Sequence, residues 1–179
     1  MIILKNYKIH YKNNLAIFEL SKILKNFIDK NTILICVGTD RCIGDSLGPI
    51  VGTLLTYKLF PLPVYGSISS PIHALNLIEK VSHIKSLHPT SNILAIDACL
   101  GDESSIGEIQ FRNSPLYPGK GVGKTLPHIG DTSIIGIVDC NSANNIFVNN
   151  TIRLSFILDM ATIITESLFN CIYLNELQV

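Results

Sequence analysis

The sequence has few charged side chains and no excess of either sign. Only 16% of its 179 residues are Asp, Glu, Lys or Arg, against roughly 25% in an average soluble domain, and 14 basic residues balance 14 acidic ones. No block of like charge occurs, so net electrostatics draw the chain neither to nucleic acid nor to an anionic membrane, and neither is expected as a partner. No leader is expected either. The segment MIILKNYKIHYKNN has a short apolar stretch and no small-residue cleavage site, which predicts a cytosolic protein. There is no CxxC pair. The five cysteines, Cys36, Cys42, Cys99, Cys140 and Cys171, are odd in number and scattered, a usage that fits a reducing compartment and disfavours a zinc ribbon. A membrane span needs about 20 uncharged apolar residues, and the most apolar long segment, 152–174, is interrupted by Arg153, Asp159 and Glu166.

What the chain does have is apolar material: 47% of it is hydrophobic, ample for a core in one domain of residues 1–179. In the last segment Ser155, Asp159, Thr162, Glu166 and Asn170 follow at steps of four, three, four and four, which predicts a helix with one narrow polar stripe. Upstream, Leu15, Phe18, Ile23 and Phe27 recur at helical intervals, and Ile33 to Val37 is an uninterrupted apolar run ending at Gly38. Such a run predicts a strand buried on both faces. A helix is expected from near Ser46, with Pro49 in its first turn, then a weaker strand over 64–68. Ser70 and Pro71 suggest the start of the next helix. Strands are predicted over 92–97, 107–112 and 133–138. This order gives the α/β class, a three-layer α/β/α domain with a mostly parallel central sheet.

In open α/β sheets the functional crevice lies beyond the carboxyl ends of the strands, where strand order reverses. Asp97 ends the run NILAID, and Asp45 lies in the loop after the Ile33 strand. On neighbouring strands, both carboxylates would face one crevice. Asp45 has an alternative as the N-cap of the following helix. A carboxylate in a sheet centre is desolvated and needs a partner or a task. Two such acids cannot both ionise easily, so one keeps a proton and the pair can act as base and acid around a water.

The glycine-rich tracts are not phosphate loops. VGTDRCIGDSLGP is neither GxGxxG nor a Walker A and places an acid where phosphate would meet a lysine; PGKGVGKT has Pro118 where the first Walker glycine belongs, and Pro127 follows at once. No nucleotide or other cofactor is expected. His128, in LPHIGD, is the histidine best placed for chemistry, the alternative being an idle exposed loop residue. Asp131 and Asp40 can join a site or serve as turn residues. Cys42 and Cys99 lie within three residues of the two acids, though buried inert cysteines are the commoner case.

Five fragments in order, VGTDRCIGDSLGP, SPIHALNL, ILAIDACLG, IQFRNSPLYPGKGVG and SIIGIV, carry a resemblance to the sporulation protein YyaC family, relatives of the spore germination protease. That resemblance implies an aspartic-type peptidase with Asp45 and Asp97 catalytic, in the cytoplasm of a forespore or spore core, acting on a protein substrate such as small acid-soluble spore proteins. It further implies a fold similar to the hydrogenase-maturation endopeptidases, whose corresponding acids and a histidine contact a nickel ion carried by the substrate. Asp45, Asp97 and His128 are the set that would do so here. A non-catalytic sporulation protein keeping the protease fold is the other alternative. On this reading Gly44, Gly119, Gly121, Gly123, His128 and Asp131 line the substrate cleft, with the Gly119 to Gly123 loop offering backbone N–H groups to an oxyanion. The germination protease is longer and begins with a propeptide, so autoprocessing control does not carry over. Apolar surface leaves a homo-oligomer open.

Overall fold

A computed structural model describes residues 6–118, 126–140 and 152–176. Its elements run β1 (Asn6–His10), α1 (Ala16–Leu24), β2 (Thr32–Cys36), α2 (Leu47–Tyr57), β3 (Val64–Tyr65), α3 (Leu77–Leu87), β4 (Asn92–Gly101), β5 (Glu108–Arg112), β6 (Thr132–Cys140) and α4 (Leu154–Glu176). The six strands form one mixed sheet in the order β1-β5-β6-β4-β2-β3. Pairing of β6, β4, β2 and β3 is parallel, and β5 is antiparallel to both β6 and β1. The α/β class holds, with four helices among the described residues.

Side-chain alternation along the strands divides the core. Leu34 and Cys36 of β2, Leu94 and Ile96 of β4, and Ile134 and Val138 of β6 pack with buried residues of α1, α2 and α4, including Leu20, Val51 and Ile164. Their neighbours Ile33, Ile35, Ile93, Ala95, Ile135 and Ile137 pack with Leu77, Val81 and Ile84 of α3 and with Leu116 and Ile129. Each β2 residue is buried, as a strand covered on both faces requires. By length and composition α4 could cross a membrane. Its Ile157, Met160, Ala161, Ile164 and Leu168 are fully buried in the core, and Ser155, Asp159, Thr162 and Asn170 of the expected polar stripe are exposed.

Four details depart from expectation. β1 appears where no strand was expected, adding an edge to β5. β3 is confined to Val64–Tyr65. β4 continues past Asp97 because β6 keeps pairing with it as far as Gly101↔Cys140, across an irregularity at Cys99/Leu100. Finally, α3 starts at Leu77 rather than after Ser70 and Pro71. The intervening chain spends its polar groups elsewhere: Ile72 bridges Val37, its carbonyl accepts the Gly38 N–H at 2.8 Å, and the Asn76 side chain accepts the His73 N–H at 2.9 Å and donates to the Pro71 carbonyl at 3.1 Å.

Candidate active site at the end of β2

Strand order reverses where β2 stops at Cys36 and β4 runs on to Gly101. From β2 the chain crosses to β3 on one side and then to β4 on the other. The crossover helices α2 and α3 pack into the two different core clusters, which marks a reversal of strand order. The Val37 N–H still donates to the Ile96 carbonyl at 2.7 Å. At Gly38 the backbone then turns away with φ +132°, a left-handed conformation that glycine adopts without strain.

Glycines at 38 and 48 bring the next segment onto the strand ends. A Cβ on Gly38 would run into the Asp45 carbonyl oxygen, and one on Gly48 into the Val37 carbonyl oxygen. The Thr39 N–H donates back to the Asp45 carbonyl at 3.0 Å, and the Asp45 N–H to the Cys42 carbonyl at 3.1 Å. Asp45 thus sits in a 3-10 turn, Gly44–Ser46, with Gly44 buried. Its side chain caps neither that turn nor α2, whose flanking positions have no side-chain cap bond. The capping alternative is therefore removed, and the carboxyl is left half-buried. Desolvation pushes its pKa up to about 6, against the lowering effect of a Thr39 backbone hydrogen bond.

Asp97 lies on β4 opposite Ile135 of β6 and is 8% exposed. Its Oδ1 accepts the Ala98 N–H at 2.8 Å. Burial raises its pKa well above the ordinary value, the negative charge of Asp45 raises it further, and the Ala98 bond offsets only part. The like-charge penalty falls on Asp97, so Asp45 ionises first while Asp97 holds its proton. One ionised and one protonated carboxyl, coupled at a strand-order reversal, can remove a proton from water and supply one to a substrate atom.

The remaining expected site residues are dispersed. Asp131 is exposed at the amino end of β6, where its Oδ2 accepts the Ile93 N–H and its own N–H donates to the Ile93 carbonyl, both at 2.8 Å. His128 is exposed, with its ring 6.0 Å from that of Tyr117. Among the described residues no three His, Cys, Asp or Glu side chains gather as a metal-binding group, so Asp45, Asp97 and His128 are not assembled into one. Gly119, Gly121 and Gly123 lie outside the described residues. Cys99 is half-buried and its Sγ donates to the Leu100 carbonyl at 3.2 Å.

Asp139 was missed. It ends the β6 run as Asp97 ends that of β4, is 8% exposed, and its Oδ1 likewise accepts the N–H of the next residue, Cys140, at 2.8 Å. An apolar run closing on an acid is the same sequence signal that selects Asp97.

The chain is similar to known proteins. It is 42% identical over 150 residues to the uncharacterized protein YyaC of Bacillus subtilis (strain 168), covering 83% of this chain and 73% of that protein. Residues 8–167, which include both acids, match the family described as a protein of unknown function, DUF1256, and the chain belongs to that family.

Proposed function

We propose that the chain is a peptide hydrolase of sporulating bacteria, a three-layer protease-like domain in the cytoplasm of the forespore or spore core, cleaving a spore protein with Asp45 and Asp97. The observation that supports this reading is the placement of both acids at the strand-order reversal, Asp97 buried on β4 and Asp45 in the turn held against the end of β2, where desolvation raises both carboxyls and the charge of Asp45 raises Asp97 further. The fragment resemblance to the germination protease supplies the bond class and the setting. Ionised Asp45 takes a proton from water as its oxygen bonds to the peptide carbonyl carbon. Protonated Asp97 gives its proton to the carbonyl oxygen. Collapse of the tetrahedral adduct then breaks the C–N bond, with the proton from Asp45 passing to the leaving amine and one hydroxyl proton of the adduct returning to Asp97 as the new carboxyl forms.

This assignment fixes the pH dependence. Activity rises through about pH 6 as Asp45 ionises and falls at higher pH as Asp97 loses its proton. The test is incubation with small acid-soluble spore proteins across pH 5 to 9, followed by mass spectrometry. Asp45→Asn and Asp97→Asn are each expected to lower the cleavage rate at least about a hundredfold while remaining folded. A folded Asp97→Asn variant that still cleaves, or a wild-type protein that cleaves nothing, contradicts the proposal.

A further inference from the structure

Among the described residues, the α3 side of the sheet is unevenly covered. α3 and the bridged residues Leu116 and Ile129 close it over β2, β4 and β6, but no buried apolar residue of β1 or β5 belongs to that cluster. Ile9, Ile109 and Phe111 point into the other core. Alternation therefore puts Lys8, Glu108, Gln110 and Arg112 on the open face, where Lys8 is paired with Gln110 and Asn6 with Arg112 across the two strands. A groove of about 530 Å³ lies there, lined by Asn6, Tyr7, Lys8, Gln110, Arg112 and Ser114.

Hydrogen bonds within the groove leave one conspicuous imbalance. Glu108 accepts from Lys8 Nζ at 2.9 Å and from Gln110 Nε2 at 2.8 Å. That orients the Gln110 amide so that its Oε1 accepts from Arg112 Nη2 at 2.9 Å. Among the described residues this is the only hydrogen bond of the Arg112 side chain, and Arg112 forms no ion pair. A half-buried guanidinium has five donors in a planar fork, and here a neutral amide uses one. The fork matches the edge of a carboxylate or phosphate, which it binds through two parallel bonds. Asn6 and Ser114 add neutral donors, while the charge of Lys8 is already matched by Glu108.

We infer that the open β1–β5 face is a recognition site for an oxyanion, carboxylate or phosphate, gripped by Arg112 and assisted by Asn6 and Ser114. It is separate from the acid pair. The pairings Asp97↔Ile135 and Gln110↔Ile135 place β6 between them, two strand spacings or about 10 Å of sheet. The inference therefore stands whether or not Asp45 and Asp97 catalyse hydrolysis.

Titration calorimetry of the full chain tests it with two probes, inorganic phosphate and a short glutamate-rich peptide with its glutamine counterpart as control. Wild type is expected to bind at least one anion. Arg112→Gln should weaken that binding tenfold or more, and Arg112→Lys at least threefold because the charge stays and the fork is lost. Asp97→Asn should bind as wild type does. Tighter binding of the glutamate peptide identifies an acidic polypeptide as the source of the oxyanion, and tighter binding of phosphate a free anion. Failure of both probes, equal binding of the glutamine control, or wild-type affinity in Arg112→Gln overturns the inference. Should Arg112→Gln fail to fold, wild-type affinity in Arg112→Lys overturns it equally.

Discussion

Asp131 and Asp97 bracket the same pair of strands. At the amino end of β6, Asp131 is exposed and tied to β4 twice, through its carboxylate and its own N–H to the Ile93 backbone. Further along the pair, Asp97 is 8% exposed, takes its neighbour's N–H, and lies within reach of the charge of Asp45. The first uses its charge to fasten two strands. The second is kept where charge is costly, a placement that adds nothing to stability and is the one the proposed proton transfer requires.

Crowding the crevice should have the largest effect. Gly48→Ala sets a methyl group against the Val37 carbonyl oxygen and 3.0 Å from that of Ile96, forcing α2 and Asp45 off the strand ends. A loss of about 3 kcal/mol is expected in urea unfolding, with any cleavage activity lost alongside it.

Neutralising the acids should do the opposite. Both carboxyls have folded-state pKa values raised above those of the unfolded chain. The folded protein thus holds protons that the unfolded chain releases, and stability declines as pH rises from about 4 through the folded pKa values. Asp45→Asn removes its share of that slope, so it should gain about 2 kcal/mol on wild type between pH 4 and pH 7. Asp97→Asn should gain in the same direction and continue to do so at higher pH. The smallest change is expected at the other end of the strand pair: Asp131→Ala should lose about 1 kcal/mol at neutral pH, the worth of its bond to the Ile93 N–H. If Asp131→Ala gained stability with rising pH as the site variants do, the contrast between the two ends would be lost.

Much of this contrast was legible in the sequence because burial writes itself into composition. The run Ile33 to Val37, the polar stripe of α4 and the acid closing NILAID are readable from neighbouring residues alone. Asp45 was legible through its place in the loop after the Ile33 strand, although only the folded backbone shows that the N-cap position of α2 falls to Ser46. The rest depends on partners distant in sequence. β1 alternates over just five residues, Asn6–His10, and becomes a strand because β5 lies beside it. The extension of β4 beyond Asp97 is decided by β6, 38 positions downstream in the pairing Ala98↔Gly136. The positions of His128 and Asp131 follow from the path of the connection into β6, which no local pattern encodes. Arg112 was unremarkable in the sequence, since its bonding to Gln110 alone among the described residues is a property of the paired strands.

The claim that Asp45 and Asp97 share one proton near neutral pH is tested most directly by carboxyl ¹³C NMR titration of the wild-type protein. The expected result is a midpoint for Asp45 near 6, a higher one for Asp97, and a fall in the Asp97 midpoint when Asp45 is replaced by Asn. Independent titration of both carboxyls in the ordinary aspartate range, about 4, would contradict the account.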